Sequence, residues 1–211
     1  MFKVILNYIQ LDSNIMQDLV DKTLELLALY AKKDIKLPAA LIGNLGKIII
    51  YSELQKRFSN DTLQFKGGTF PGHDIILNKL RIQVKTRVNP TPKKTKNGEL
   101  TFEDSPTISK SIIKDKKCDI IILIIIYTKE DYSEILDQNI YIFDKKDFRF
   151  FSAVNFRSGK SKRDYTIVNI LRMTGSLTPR NQVIFDHYST NEYPALFRNS
   201  KDNWEKISYE L

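Results

Sequence analysis

The stretch Asp74-Ile75-Ile76-Leu77-Asn78-Lys79-Leu80-Arg81-Ile82-Gln83-Val84-Lys85-Thr86-Arg87-Val88 decides the reading of the chain. Two apolar runs flank the pair Asn78-Lys79, which is the pattern of a β-hairpin with a two-residue turn. That turn sets Leu77 opposite Leu80, Ile76 opposite Arg81, Ile75 opposite Ile82 and Asp74 opposite Gln83. Side chains alternate along a strand, so Gln83, Lys85 and Arg87 share one face while Ile82, Val84 and Val88 take the other. Asp74 falls on the Gln83 face, behind the breaker run Gly67, Gly68, Pro71 and Gly72. A carboxylate, an amide oxygen and an ammonium therefore converge. Asp74 and the Gln83 oxygen suit a hard divalent cation such as Mg2+. Lys85 can hold a phosphate oxygen or orient an attacking water, so the parts are those of metal-assisted phosphodiester hydrolysis.

Upstream of the hairpin the spacing predicts two helices. Asp12 to Lys33 repeats Ile15, Leu19, Leu26, Leu27 and Tyr30 at helical intervals. Pro38 opens a second helix to about Phe58, with Leu41, Ile42, Leu45, Ile48 and Ile49 on one face. Gly43 and Gly46 lie inside it, each costing ~1 kcal/mol relative to Ala, and permit close packing. Leu63 to Lys66 is a short strand. Downstream, Asn89 to Thr107 carries Pro90, Pro92, Pro106 and Gly98 among lysines and reads as a long loop or arm. Cys118 to Tyr127 is a continuous Ile-rich run, the pattern of a strand buried on both faces. A strand at Asn139 to Phe143, a short helix at Lys145 to Ala153, a basic loop at Arg157 to Asp164, a strand at Tyr165 to Ile170 and a last helix near Asn203 to Tyr209 complete the order. The fold class is α/β, a mixed β-sheet flanked by helices. The expected layout is a single domain over residues 1–211, with a catalytic core at 37–130, a basic arm at 89–107 and a C-terminal region at 145–211 for DNA contact or dimerisation.

The chain has 211 residues, 33 basic and 25 acidic, for a formal net charge of +8. The excess is concentrated. Lys79 to Lys117 holds 11 basic and 4 acidic residues, and Lys145 to Arg180 holds 9 and 2, so each segment is +7 on an acidic remainder. Clustered lysine and arginine fit a polyanion partner; they fit equally well a lysine-rich habit spread over solvated loops. A lone cysteine, Cys118, excludes a disulfide framework and a four-cysteine zinc site. Only two histidines, His73 and His187, argue against a histidine-rich metal centre. No apolar run approaches the ~20 residues of a membrane span. Met1 to Leu11 lacks the pattern of a secretion signal, so the expectation is a cytoplasmic protein with no membrane partner.

An amide is a weak metal ligand, and Glu53 is the candidate second carboxylate, at the edge of the second helix's apolar face. Taken in order, Tyr51-Ser52-Glu53-Leu54, then Gly67-Gly68-Thr69-Phe70-Pro71-Gly72-His73-Asp74-Ile75-Ile76, then Ile82-Gln83-Val84-Lys85 resemble the PD-(D/E)XK nuclease superfamily. Its Mrr-like restriction endonucleases, which accept Gln at the acidic position, are the nearest in pattern. The resemblance covers about Leu41 to Arg87. It implies a mixed sheet with a helix on each side and cleavage of double-stranded DNA with Mg2+, for which Mn2+ can substitute. It further implies that Asp74 is the invariant metal ligand, Gln83 the second-strand position, Lys85 the catalytic lysine and Glu53 the helix carboxylate. Asp74, Glu53, Gln83 and Val84 are then the metal-binding positions. Two departures stand out: Asp74 follows His73 rather than proline, and Gln83 removes a charge.

The expected activity is that of a type II-like restriction endonuclease, acting as a homodimer beside a cognate DNA methyltransferase. DNA contacts are assigned to Arg87, Lys93, Lys94, Lys96, Arg157, Lys160, Lys162 and Arg163. Two other readings stay open: a junction-resolving or repair nuclease with the same core, and a non-catalytic DNA-binding protein with a degenerate site. Gly159-Lys160-Ser161 is not a phosphate loop, because Val154 stands where that motif needs glycine. His73 and Cys118 read as structural, His187 as an unassigned surface position, and Trp204 as an anchor of the last helix.

Overall fold

In the computed structural model, β1 (Leu63–Phe65), β2 (Ile75–Leu77) and β3 (Leu80–Val88) form an antiparallel meander. The β2–β3 register is the expected one, Ile75 with Ile82, Ile76 with Arg81 and Leu77 with Leu80. Asn78 adopts φ 52° in the turn, a left-handed conformation that asparagine tolerates. Its side chain donates to Asp61 at 2.7 Å and accepts from the Thr62 N–H at 2.9 Å, tying the turn to the start of β1. The structure describes residues 13–59, 61–66, 72–89, 92–94, 100–102, 107–109, 116–148, 164–166 and 199–211.

β3 then pairs in parallel with β7 (Ile120–Thr128), which pairs antiparallel with β8 (Ile135–Phe143). The sheet is mixed and five-stranded, in the order β1-β2-β3-β7-β8. β7 has a partner on each edge and is buried from Ile120 to Ile126, which explains its unbroken apolar run. β8 begins four residues earlier than its apolar core suggests. Exposed Leu136 and Asp137 obscure its first half.

Between β3 and β7 the structure differs from the expected loop. β4 (Pro92–Lys94) pairs with β5 (Leu100–Phe102), so part of the 89–107 arm is a two-stranded ladder. The Asn97-Gly98 pair between these strands is a hairpin signal that the surrounding prolines and lysines mask. β6 (Thr107–Ser109) pairs with β9 (Asp164–Thr166) in a second small ladder. Residues 145–147 form a turn, and the remainder of the helix expected over Lys145 to Ala153 lies outside the described residues, apart from Phe148. The continuation of β9 to Ile170 also lies outside them.

Helix α1 (Ser13–Lys32) packs on α2 (Ala39–Arg57), and α2 packs on the sheet. Among the described residues these two helices therefore stack on one face, rather than one on each side. α1 buries Met16, Val20, Leu24 and Leu27, while Ile15 and Leu26 of the expected face are exposed. The helix has more apolar residues than one stripe can cover, and the phase that meets α2 is the one through Met16. α3 (Glu205–Ser208) closes the β8 edge. Lys206 there donates to the Ile142 carbonyl at 3.1 Å and pairs with Asp147 at 2.6 Å. Trp204, just before α3, lies under the Arg57 guanidinium at 4.5 Å, which joins the last helix to α2. Among the described residues no helix is long and apolar enough to cross a membrane.

The two helix glycines have opposite roles. A Cβ on Gly46 would lie 2.6 Å from Thr86 Cγ2 and 2.8 Å from Ile124 Cγ2, whereas a Cβ on Gly43 meets nothing within 4 Å. Gly46 is thus the point where α2 touches the sheet. We expect Gly46→Val to cost about 2 kcal/mol or more through overpacking, and Gly43→Ala to gain up to ~1 kcal/mol of helix propensity. Chemical denaturation of the two variants checks the opposite signs.

The parallel β3–β7 pairing is pinned by Asp119. Its Oδ2 accepts from the Arg81 N–H at 2.9 Å and from Arg81 Nε at 3.0 Å, and its Oδ1 meets Lys145 at 3.0 Å. Burial alone would push the carboxyl up, but Arg81 and Lys145 together outweigh it and hold it at about 2. A carboxyl depressed on folding contributes stability that is present above its unfolded value of ~3.9 and is lost as pH falls toward 2. Asp119→Asn should therefore destabilise at pH 7 by about 1–2 kcal/mol, discounted for the half-exposed lysine. The difference from wild type should shrink between about pH 4 and pH 2. A pH series of denaturant titrations checks this.

Candidate functional site

Asp74 ends the segment leading into β2 and is held by backbone on both sides. Its N–H donates to the Ile82 carbonyl at 2.8 Å, and its carbonyl accepts from the Lys66 N–H at 2.8 Å. The preceding turn uses Gly72 at φ 104°, with the Lys117 side-chain stem against it, where a side chain would be both strained and blocked. The Asp74 carboxylate is thus aimed across the hairpin at β3 and is buried.

Both of its oxygens are engaged. Oδ2 accepts from the Val84 N–H at 2.8 Å and from the Gln83 side-chain amide. Oδ1 pairs with the Lys47 ammonium of α2 at 2.7 Å. The Gln83 amide nitrogen also donates to the Val84 carbonyl at 3.1 Å, so it stands between a carboxylate oxygen and a backbone carbonyl oxygen. Two hard oxygens converging on one amide nitrogen form a donor pair that a hard cation accepts, and the Gln83 amide oxygen is a third donor when the amide turns. Mg2+ is characteristically held by one or two carboxylates, with waters and substrate phosphates completing the shell. The residues present fit that description. Among the described residues no three His, Cys, Asp or Glu side chains cluster as a metal site, so a cation here would rest on one carboxylate and neutral oxygens.

Lys85 follows on the Gln83 face, about 7 Å further along β3. Burial pushes the Cys118 thiol up to about 12, Asp119 and Asp74 add to the rise, and Arg81 and Lys85 oppose it. Cys118 is an inert core thiol rather than a nucleophile. His73 is half-buried. Burial lowers its pKa, and a hydrogen bond to the Lys117 backbone only partly offsets this. Both effects taken together favour its neutral form at pH 7.

The structure brings Asp74, Gln83 and Val84 together and places Lys85 two residues beyond Gln83 on β3. It does not bring Glu53 in. Glu53 Oε1 pairs with Lys56 at 3.0 Å and Oε2 with Arg57 at 3.5 Å. The α2 residue that reaches Asp74 is Lys47, six residues and about 9 Å of helical rise earlier. Sequence reasoning missed Lys47, although a signal exists: it is the sole charged residue between Lys36 and Glu53. Arg87 is partly buried on β3. Lys93 and Lys94 lie on β4, whose backbone alone is described. Lys96, Arg157, Lys160, Lys162, Arg163 and His187 lie outside the described residues, as do Gly67 to Pro71.

No protein-family model matches the chain, and no curated protein matches it. Among solved structures, the chain is similar to a bacterial homing endonuclease, I-Ssp6803I, at 12% identity and a TM-score of 0.38, over 81% of this chain and 93% of that one.

Proposed function

We propose that this protein is a Mg2+-dependent endonuclease that hydrolyses phosphodiester bonds of double-stranded DNA, and more specifically a type II-like restriction endonuclease. The observation that carries this reading is the convergence of Asp74 Oδ2 and the Val84 carbonyl on the Gln83 amide nitrogen, with Lys85 next along the same strand face. A divalent cation bound by Asp74, Val84 and Gln83 would supply charge for a phosphate oxygen and a more acidic water. Asp74 orients that cation's shell through a carboxylate that two backbone hydrogen bonds keep in place. Val84 contributes through its carbonyl, whose position the β3–β7 pairing fixes. Lys85 offers a point charge to the phosphate or to the attacking water, a role its flexible stem suits.

The charge distribution supports the substrate class. Arg87 continues the Lys85 strand, and Lys93 and Lys94 follow on β4, within a segment of net charge +7. Lys96, Arg157, Lys160, Lys162 and Arg163 extend the basic set for phosphate contact. A homodimer would place one site on each strand and match a palindromic sequence. A cell holding such an enzyme needs its own sites modified, hence a cognate DNA methyltransferase.

One rival has an observation in its favour. Gln83 is no carboxylate, and both Asp74 oxygens take N–H donors, as in a DNA-binding protein whose site has decayed. Incubating the pure protein with phage DNA and Mg2+ separates the readings. Discrete fragments that vanish with EDTA support a restriction endonuclease. A smear points to a nuclease without sequence preference, and bound but intact DNA to the decayed site.

A further inference from the structure

Lys47 has no place in the sequence pattern, yet it makes the ion pair that closes the Asp74 site. Its side chain is 18% exposed and that of Asp74 8%, so the pair is largely out of water, where charges act on each other more strongly than at a surface. Its backbone cannot retreat, because the neighbouring Gly46 is seated against Thr86 and Ile124. Its side chain can, through four rotatable bonds. The other Asp74 oxygen is also covered by a side-chain donor, the Gln83 amide, that rotation alone removes. Oδ1 is thus held by the positive end of a movable side chain, and Oδ2 by another together with the fixed Val84 N–H.

We propose that Lys47 is the internal counter-cation of Asp74, and that a divalent cation enters the site only by exchanging with its ammonium. This inference rests on reading Asp74 as a cation ligand. The exchange makes or breaks no covalent bond. The cation would take the carboxylate at Oδ2 beside the Val84 carbonyl, in place of the Gln83 amide, and the Lys47 ammonium on Oδ1, repelled by the new charge, would turn toward solvent or toward an anion brought to the site. Lys47 therefore lowers the affinity of the DNA-free protein for divalent cations, and its removal raises it.

The test is a titration of the full-length, DNA-free protein with Mn2+, following free Mn2+ by electron paramagnetic resonance. Lys47→Met should bind Mn2+ at least about tenfold more tightly than wild type, a neighbouring charge being worth one or more pKa-sized units. Lys47→Gln, which keeps a neutral N–H donor and guards against misfolding of the first variant, should also bind more tightly. Lys47→Arg should bind no more tightly than wild type. Asp74→Asn should lose the site. If both neutral variants bind Mn2+ as wild type or more weakly while Asp74→Asn has lost it, the counter-cation role of Lys47 is wrong and the cation site stands. If Asp74→Asn binds Mn2+ as wild type does, the cation-site reading fails and this inference falls with it.

Discussion

Asp74→Asn is expected to reduce DNA cleavage by at least about 10³-fold, since metal-held charge is worth several kcal/mol at the transition state and each ~1.4 kcal/mol is tenfold. The substitution keeps the shape and one amide oxygen, so the hairpin survives. It removes the charge that holds Lys47 and one oxygen of the cation's donor pair. DNA affinity should stay near wild type, because the proposed phosphate contacts lie in the basic segments and a carboxylate makes none. Asp74→Ala should lose the same activity and also stability, as the Lys47 ammonium and the Val84 N–H are left without an acceptor, at about 3 kcal/mol or more. Plasmid nicking rates and filter binding, measured on both variants, separate catalysis from binding. Nicking at the wild-type rate by either variant would remove Asp74 from the mechanism.

Lys85→Ala should lower the cleavage rate by about 10²–10⁴-fold, the range for a positioned proton-handling or charge-donating side chain. Its effect on stability should be small. It sits at an intermediate depth on β3, and its backbone hydrogen bonds in the β3–β7 ladder do not depend on the side chain. Lys85→Arg keeps the charge on a planar fork rather than a compact ammonium, so it should recover only part of the rate. Single-turnover rates at saturating DNA check both, and equal rates for Lys85→Ala and wild type would reduce Lys85 to a DNA contact.

Much of this site could be read from the sequence, because the hairpin that builds it is local. A two-residue turn with asparagine at φ 52° sets the register of Ile75 with Ile82, and one step beyond it the Gln83 side chain meets Asp74. β7 could be read for a different reason: a strand paired on both edges and covered on both faces has no polar positions to interrupt it. Features that depend on distant partners were less legible. Which face of α1 is buried depends on α2, and its sequence offers apolar residues on two. The β4–β5 ladder was hidden by prolines and lysines that usually mark open loops. Glu53 looked like the α2 contribution because it is a carboxylate near an apolar face. In the folded chain its neighbours on the same helix, Lys56 and Arg57, claim it. The Lys47–Asp74 pair joins residues 27 apart, set by where Gly46 lets α2 touch the sheet, and only the three-dimensional packing shows it.

Anomalous diffraction from crystals soaked in Mn2+ tests the central claim most directly. A single strong peak is expected within about 2.4 Å of an Asp74 carboxylate oxygen and of the Val84 carbonyl oxygen, the range for a hard cation on oxygen. The Gln83 amide oxygen should turn toward it, and the Lys47 ammonium should have left Asp74. A peak at Glu53, or occupied Mn2+ elsewhere with the Lys47–Asp74 pair intact, would contradict the account.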